Sequence, residues 1–299
     1  KQYGWFMMAL HSTLSCYIAV GFAVAGIYAW GYLRGKRDNY HRSAMKIAMA
    51  VGAVAAILQP ISGDLLAKFV FKRDPVKFAA MEGQYKTEAR APLRIGGLPD
   101  ETAEETRYAI EIPGMLSFLA NHDINTVVPG LDKAAPEKWM RPNVALTHIS
   151  FQIMVGLGTL LVFVALWFWF RAWRRKGQAF DSKPLLWSMV ILASAGFIAL
   201  EAGWIVTEVG RQPYTIVGTE RLEPLRQANF SPWIFTEHGD YPGMLTGSQM
   251  APTSVNLASA VTNAQGVPTV FWGFTILYII LGITVVVLLR YLAKTPSGE

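Results

Sequence analysis

The sequence predicts an all-α integral membrane protein, and three observations support this fold class. Apolar residues make up 52% of the 299 residues, whereas charged residues make up only 16%. Five stretches reach the length of about 20 apolar residues that a helix needs to cross a bilayer. Lysine and arginine cluster at the ends of these stretches and form no basic patch on a soluble surface, so the net charge of +6 does not indicate a nucleic-acid partner.

The expected transmembrane helices divide the chain into five parts. The helices cover residues 4–33, 44–71, 145–172, 185–208 and 268–292. We expect the parts to be 1–71 with the first two helices, 72–144 as an extracytoplasmic loop, 145–208 with the third and fourth helices, 209–267 as a second extracytoplasmic loop, and 268–299 with the last helix and a cytoplasmic tail. Because proline removes a backbone hydrogen bond, we expect the second helix to kink or end early at Pro60.

Basic residues predict the orientation of these helices. By the positive-inside rule, the short links richest in lysine and arginine lie in the cytoplasm. These links join the first helix to the second and the third to the fourth, so the amino terminus is expected outside and the carboxyl terminus inside. Their basic residues are Arg34, Lys36, Arg37, Arg42, Arg171, Arg174, Arg175, Lys176 and Lys183.

The segment 72–144 combines both charge signs with several prolines, which is typical of a compact loop. Acidic residues complement the positive end of a helix dipole, so the acidic cluster after Pro99 predicts a helix that begins near that residue. The single cysteine, Cys16, excludes a disulfide within the chain and a cysteine-based metal site. The members of the acidic cluster are Asp100, Glu101, Glu104 and Glu105.

Ionisable residues inside the apolar stretches are candidates for function, because each costs about 2.5 to 3.5 kcal/mol at a bilayer centre. His11 lies about 10 Å below the expected outer surface and Met154 about 14 Å, counted at about 1.5 Å per residue. An imidazole and a thioether at similar depth could ligate one haem iron. Packing of Met154 and a hydrogen bond from His11 to a neighbouring helix are equally open. His148 falls on another helix face than Met154 and is expected near the interface.

Glu201 is the second candidate, at a depth of about 8 Å in the fourth helix. A carboxylate there could ligate a metal, relay protons or pair with Arg211 just beyond the helix. From the residues alone these readings stay open. Glu208 lies closer to the boundary and is expected to be a solvated or capping charge.

Residues 77–83, 151–155 and 201–214, together with His11, resemble subunit I of the cytochrome bd-type quinol oxidases. Segment 201–214 is similar to that subunit's hallmark sequence, except that Tyr214 stands where the family usually has tryptophan. Residues 77–83 resemble the beginning of its extracytoplasmic quinol-binding loop, and residues 151–155 the segment that supplies a haem-ligating methionine. The resemblance covers only the last five of the nine helices expected in that subunit.

The resemblance implies two b haems. His11 and Met154 would be the axial ligands of a low-spin haem b, and Glu201 would be a ligand of a high-spin haem b. Arg211 would belong to the same haem-binding motif as Glu201. The implied location is the cytoplasmic (inner) membrane of a bacterium or archaeon.

The resemblance also implies a quinol site in the loop 72–144. Lys77 and Glu82 would bind quinol, and the carboxylate of Glu82 would accept a proton as electrons leave. Without the resemblance, these two residues would be ordinary solvated loop charges five positions apart.

Three departures from the family pattern qualify these expectations. Gln152 stands where many members have an arginine, and the lost charge is expected to lower the potential of the low-spin haem. Helices that carry a ligand of the oxygen-reducing haem, a haem d or a third haem b, are absent, so another chain or an unshown amino-terminal part would supply them beside a second oxidase subunit. The outer segment after Thr215 is longer than expected and could be a haem cap, a subunit contact or an inert insertion.

The leading functional hypothesis is a haem-binding subunit of a quinol:oxygen oxidoreductase. The alternative is a quinol-linked b-haem electron-transfer subunit that reduces no oxygen. A transporter or structural anchor would not need His11, Met154 and Glu201 at one depth.

Overall fold

The computed structural model describes residues 4–175, 179–216, 224–225, 255–256 and 266–294. Long helices dominate these residues, and five helical stretches are long and apolar enough to cross a membrane. The expected all-α membrane architecture is therefore confirmed. The long helices are α1 (Gly4–Leu33), α2 (Asn39–Arg73), α6 (Val144–Arg174), α7 (Lys183–Ile191), α8 (Ala195–Val209) and α9 (Val267–Lys294).

Helix α2 runs without interruption through Pro60, so the expected early end is wrong. The Asp38 carboxylate caps its first turn by accepting the backbone N–H of His41 at 2.7 Å. Beside the proline, the Ser62 hydroxyl donates to the Gln59 carbonyl at 2.8 Å. Such side-chain bonds, together with packing against neighbouring helices, let a membrane helix tolerate proline.

The fourth membrane-crossing stretch consists of two helices, α7 and α8, where the sequence predicted one. A turn at residues 192–194 separates them, and it lies where the chain presses against α1. A Cβ added to Gly26 of α1 would lie 2.6 Å from the Ala193 Cβ, and one added to Gly196 would lie 2.6 Å from the Ala19 Cα. Small residues therefore allow close helix contact at the turn and just after it.

The segment 72–144 folds into short helices and strand pairs. The acidic cluster after Pro99 forms a hairpin, so the helix expected there is wrong: the Asp100 carboxylate accepts the backbone N–H groups of Thr102 and Ala103 at 2.9 and 3.0 Å and bends the chain into a turn. The helices are α3 (Pro75–Glu82), α4 (Met115–Asn121) and α5 (Leu131–Ala134), followed by a 3₁₀ turn at Lys138–Met140.

All strand pairs of this segment are antiparallel. They join β1 (Glu88–Ala89) to β6 (Val127–Val128), β2 (Leu93–Ile95) to β5 (Ile110–Ile112), and β3 (Leu98–Asp100) to β4 (Glu105–Arg107). Further along the chain, β7 (Tyr214–Ile216) pairs with β8 (Val255–Asn256). Most of the segment 215–267, for which a cap or subunit contact was considered, lies outside the described residues.

Helices α1, α2, α6 and α7 bury a common apolar cluster. Helix α1 crosses α2 at two glycines, because a Cβ on Gly21 would lie only 2.7 Å from the Gly52 Cα. Almost all described side chains of α9 are exposed, so this helix adds little to the core. The largest fully buried members of the cluster are Phe22, Met45, Met49, Leu161, Leu185 and Met189.

Gly21→Ala is expected to destabilise the chain by about 1 to 3 kcal/mol, the usual cost of overpacking a tight contact. The new methyl group meets the backbone of α2, which cannot move aside as a flexible side chain would. The measurement is the thermal unfolding midpoint in detergent. Gly158→Ala in α6 is the control, because a Cβ at Gly158 meets no atom within 4 Å. Equal midpoints for both variants would contradict the close helix crossing.

Candidate functional site

Glu82 lies at the end of α3 and is almost fully buried, with 5% of its surface exposed. The sequence defines this helix locally: Asp74 caps it by accepting the backbone N–H of Lys77 at 3.1 Å, and Pro75 occupies its first position. Gly83 ends it in the left-handed conformation at φ 64°. A Cβ at Gly83 would also lie 2.6 Å from the Thr106 hydroxyl. Glycine therefore lets the chain turn sharply just after the buried carboxylate.

The carboxylate of Glu82 sits in a low-dielectric environment. Burial raises its pKa to about 8, and the nearby positive charge of Arg94 opposes that shift without cancelling it. Its Oε2 atom is buried and hydrogen-bonded to none of the described residues. The site thus combines an unsatisfied acceptor with a protonation equilibrium close to neutral pH.

Arg94 is held beside this carboxylate by polar partners on the same segment. Its guanidinium donates to the side-chain oxygen of Gln84 and, at 3.0 Å, to Oε1 of Glu111, which lies opposite it in the β2–β5 pair. Gln84 is fully buried and also donates to Oε1 of Glu88 at 2.9 Å. Because both Glu88 and Glu111 are part-exposed, the polar contacts of Arg94 extend from the buried Gln84 to the surface.

Lys77 connects this helix to the 201–214 motif. Its side chain is half-buried, and a Cβ at Gly210 would lie 3.0 Å from the Lys77 Cγ. Gly210 directly precedes Arg211, whose guanidinium donates to the carboxylate of Glu208. The structure therefore brings two segments that the sequence singled out separately into direct contact.

His11 of α1 is half-buried and bound by α2. Its Nδ1 lies 2.9 Å from the Ser62 hydroxyl, and its Nε2 lies 3.2 Å from the amide nitrogen of Gln59. An amide nitrogen can only donate, so Nε2 is the acceptor, and the ring proton sits on Nδ1. Ser62 thus orients the ring, and the Nε2 lone pair that a haem iron would take accepts a hydrogen bond from Gln59 in this structure, so ligation would require the Gln59 amide to turn away.

Met154 of α6 lies against α8. It is half-buried, and a Cβ at Gly203 would lie 2.9 Å from its sulfur, so the glycine makes room for the thioether. Glu201 lies two positions before Gly203 on α8, and its side chain is exposed. His11 thus contacts α2 and Met154 contacts α8, and their pairing on one iron stays a prediction. The donor types fit haem ligation: Met154 offers a sulfur beside Gly203, and His11 offers an imidazole ring beside Ser62.

His148 lies near the start of α6, and sequence reasoning missed that it is buried inside the protein. It is fully buried, and its two ring nitrogens lie 2.9 and 3.0 Å from the carbonyl oxygens of Met81 and Gly96. Arg94 and Gln84 were also missed, because a charged or amide residue in a loop gives no local sign that the chain will fold over it. The alternation Leu93-Arg94-Ile95 was the one available hint of a strand.

Nearly the whole chain matches a known protein family. Residues 2–296 match the family model described as cytochrome bd terminal oxidase subunit I. The chain belongs to this family. Membership confirms the resemblance that three motifs indicated, while the roles of individual residues stay predictions.

Relatives of this cytochrome bd subunit I chain come from several bacteria. A Bacillus subtilis (strain 168) protein, provisionally named a cytochrome bd menaquinol oxidase subunit I, is 31% identical over 99% of this chain and 59% of its own length. Cytochrome bd-II ubiquinol oxidase subunit 1 of Escherichia coli (strain K12) is 29% identical over 69% of this chain and 52% of that protein.

The solved structure of bd oxidase from Geobacillus thermodenitrificans matches the fold with a TM-score of 0.69 at 29% identity. The match covers 97% of this chain and 58% of that one. The cytochrome bd subunit I chain described here therefore spans little more than half the length of the relatives it matches.

The pKa of Glu82 predicts a pH-dependent stability. Its folded-state value of about 8 lies above the ordinary value of 4.5, so the folded chain holds this proton more tightly than the unfolded chain does. The resulting stabilisation is complete below pH 4.5 and is lost as the pH rises through about 8. We expect the unfolding midpoint of Glu82→Gln in detergent to fall less than that of the parent between pH 5 and pH 9. Parallel pH curves for the two proteins would contradict the buried position of the carboxylate.

Proposed function

We propose that this chain is a haem-binding subunit of a cytochrome bd-type quinol:oxygen oxidoreductase and that it carries the site of quinol oxidation. The observation that carries the proposal is the buried, unsatisfied Oε2 of Glu82 beside Arg94, on a helix that packs against the 201–214 motif. Relatives named as menaquinol and ubiquinol oxidase subunits support a quinol as substrate.

Glu82 acts as the proton acceptor for a quinol hydroxyl. Oxidation of a quinol releases two electrons and two protons, and a carboxylate whose pKa is about 8 can take a proton near neutral pH and give it up again. The positive charge of Arg94 stabilises the ionised form that must exist before each transfer. Each proton must then leave Glu82 before the next transfer, and the part-exposed carboxylates of Glu88 and Glu111 lie at the surface side of Arg94.

Lys77 helps to position α3 and supplies a positive charge at the proposed quinol site. Its stem packs on Gly210, which fixes α3 against the end of α8. An ammonium group there favours a partially anionic quinol oxygen as its proton leaves. Lys77 and Glu82 together therefore form the quinol site of the segment 72–144.

Haem b supplies one-electron acceptance when it is bound. His11 through Nε2 and Met154 through sulfur would hold the low-spin haem, and Glu201, exposed on α8, would hold the high-spin haem. Arg211 contributes a positive charge next to that motif, where it pairs with Glu208. Gln152 adds no charge near the low-spin haem, so a lower potential than in arginine-bearing relatives is expected.

A second oxidase subunit would accompany this chain in the membrane complex, and the oxygen site of that complex would hold haem d or another haem b. We place the chain in a bacterial or archaeal inner membrane as a multi-pass protein. Its amino terminus and the segment 72–144 face outwards, and its carboxyl terminus faces the cytoplasm.

Glu82→Gln is expected to lower kcat/KM for quinol by about 100- to 10,000-fold, because the variant cannot accept a proton. In the parent complex, kcat/KM rises with pH through about 8 as Glu82 ionises, and this step disappears in the variant. The measurement is quinol oxidation by the purified complex across pH 6 to 9. Glu105→Gln is the control, since that carboxylate lies in the same segment and is 55% exposed. Full activity in Glu82→Gln refutes the proposed role.

His11→Ala and Met154→Ala are each expected to remove the low-spin haem b band from the reduced-minus-oxidised spectrum, because each deletes an axial ligand. His122→Ala, which changes an exposed histidine at the end of α4, should keep the band. An unchanged spectrum in either ligand variant refutes that assignment. A low-spin band with no ligand-reactive high-spin haem in the parent complex would favour the electron-transfer subunit that reduces no oxygen.

A further inference from the structure

Helix α6 presents two polar side chains, one turn apart, to the backbone of the segment 81–96. His148 and Gln152 are four residues apart, so they lie on one face of the helix. Met154, the expected haem ligand, follows two residues later on the same helix. The contacts of these two side chains with the quinol-site segment suggest a role for both.

Gln152 uses both ends of its amide on the backbone of β2 and the turn after it. Its Oε1 accepts the backbone N–H of Gly96 at 3.0 Å, and its Nε2 donates to the carbonyl of Arg94 at 2.9 Å. A guanidinium has five donors and no acceptor, so an arginine at this position could not take the N–H of Gly96. The departure of Gln152 from the family pattern therefore coincides with a bond that only an acceptor can make.

His148 contacts the backbone at two places beside the buried site, one in α3 and one just after β2. Its Nδ1 lies 2.9 Å from the carbonyl of Met81, the residue before Glu82, and its Nε2 lies 3.0 Å from the carbonyl of Gly96. Both partners can only accept, so the ring donates from whichever nitrogen carries hydrogen. A Cβ at Gly83 would lie 3.2 Å from this ring, so glycine also lets the imidazole approach.

We infer that His148 and Gln152 are positioning residues for quinol oxidation, because they hold the backbone on both sides of the Glu82 and Arg94 pair at a set separation from α6. The contacts reach Met81, which precedes Glu82, and the backbone groups of Arg94 and Gly96. We call these four contacts the α6 clamp. This inference rests on the proposed quinol site.

The clamp explains how a short loop segment can keep Glu82 and Arg94 in a site with little water. Strands β2 and β5 are only three residues long, so their own ladder supplies few bonds. The half-buried amide of Gln152 and the buried imidazole of His148 contact backbone groups and add direct links to a long membrane helix. Loss of those links would let the segment drift, and a displacement of about 1 Å can cost a reaction about a hundredfold in rate.

The test uses the purified holo-complex with quinol as the substrate. Gln152→Met removes both side-chain hydrogen bonds of the amide at similar side-chain length, and His148→Phe removes both ring nitrogens but keeps a planar ring. We expect each variant to lower kcat/KM for quinol by about 10- to 100-fold, while the low-spin haem band and electron entry from a small soluble reductant stay at parental levels. His148→Gln, which keeps an N–H donor, should recover part of the loss.

The pH profile separates positioning from general structural damage. Burial is the main cause of the raised pKa of Glu82, so a loosened segment that admits water should move the rising limb of kcat/KM to lower pH. Ile149→Ala is the matched control, because Ile149 neighbours His148 on α6 but is 37% exposed. Its activity and pH profile should equal those of the parent.

The outcomes distinguish this inference from the proposed function. Parental kcat/KM and pH profile in both Gln152→Met and His148→Phe, with Glu82→Gln inactive, overturn the clamp and leave the quinol site intact. Loss of the haem band together with activity also overturns it, since the effect is then on the whole fold. If Gln152→Met does not accumulate, Gln152→Asn, one methylene shorter, is judged by the same criteria. An active Glu82→Gln refutes the proposed function itself.

Discussion

Hydrocarbon offers a peptide group no hydrogen-bond partner, and this constraint governs most of the chain. Every N–H and C=O inside the bilayer must be satisfied within its own segment, which leaves continuous helices as the solution. Helix α2 therefore continues through Pro60 despite the bond that proline removes. The turn at residues 192–194 interrupts a helical stretch beside α1, and its backbone groups still bond within the chain: the N–H groups of Leu192, Ala193 and Ala195 donate to the carbonyls of Ser188, Val190 and Leu192.

The segment 72–144, in which we propose quinol oxidation, holds the buried carboxylate of Glu82 outside the membrane-crossing stretches. A carboxylate can be dry there without lying in hydrocarbon, because short strands and helix ends supply polar neighbours. At Glu82 two effects compete, and burial outweighs the attraction of Arg94, since the pKa lies near 8 and not below its ordinary value. A dry carboxylate of this kind is a better proton acceptor than a solvated one, whose pKa would be too low to retain a proton at neutral pH.

Glycine sets the distances that this chemistry requires. Gly83 lets the chain turn after Glu82, Gly203 makes room for the sulfur of Met154, and Gly210 lets Lys77 lie against α8. In each case a Cβ would meet a neighbouring side chain at 2.6 to 3.0 Å. The two motifs and the proposed haem ligand are thus joined through small residues, and helix α6 carries both the thioether and the clamp on the quinol segment.

The sequence by itself determined the membrane class, the five crossing stretches and the family, because apolar length and short motifs are local properties of a chain. It also singled out Lys77 and Glu82, whose significance came from the motif and not from their spacing. Tertiary structure alone decided the break between α7 and α8, the hairpin after Pro99, and the burial of His148. It also placed Arg94 beside Glu82. Strand pairing and side-chain burial depend on which surfaces meet between residues far apart in the sequence. A side chain that hydrogen-bonds to a distant carbonyl therefore produces no periodic pattern in the sequence.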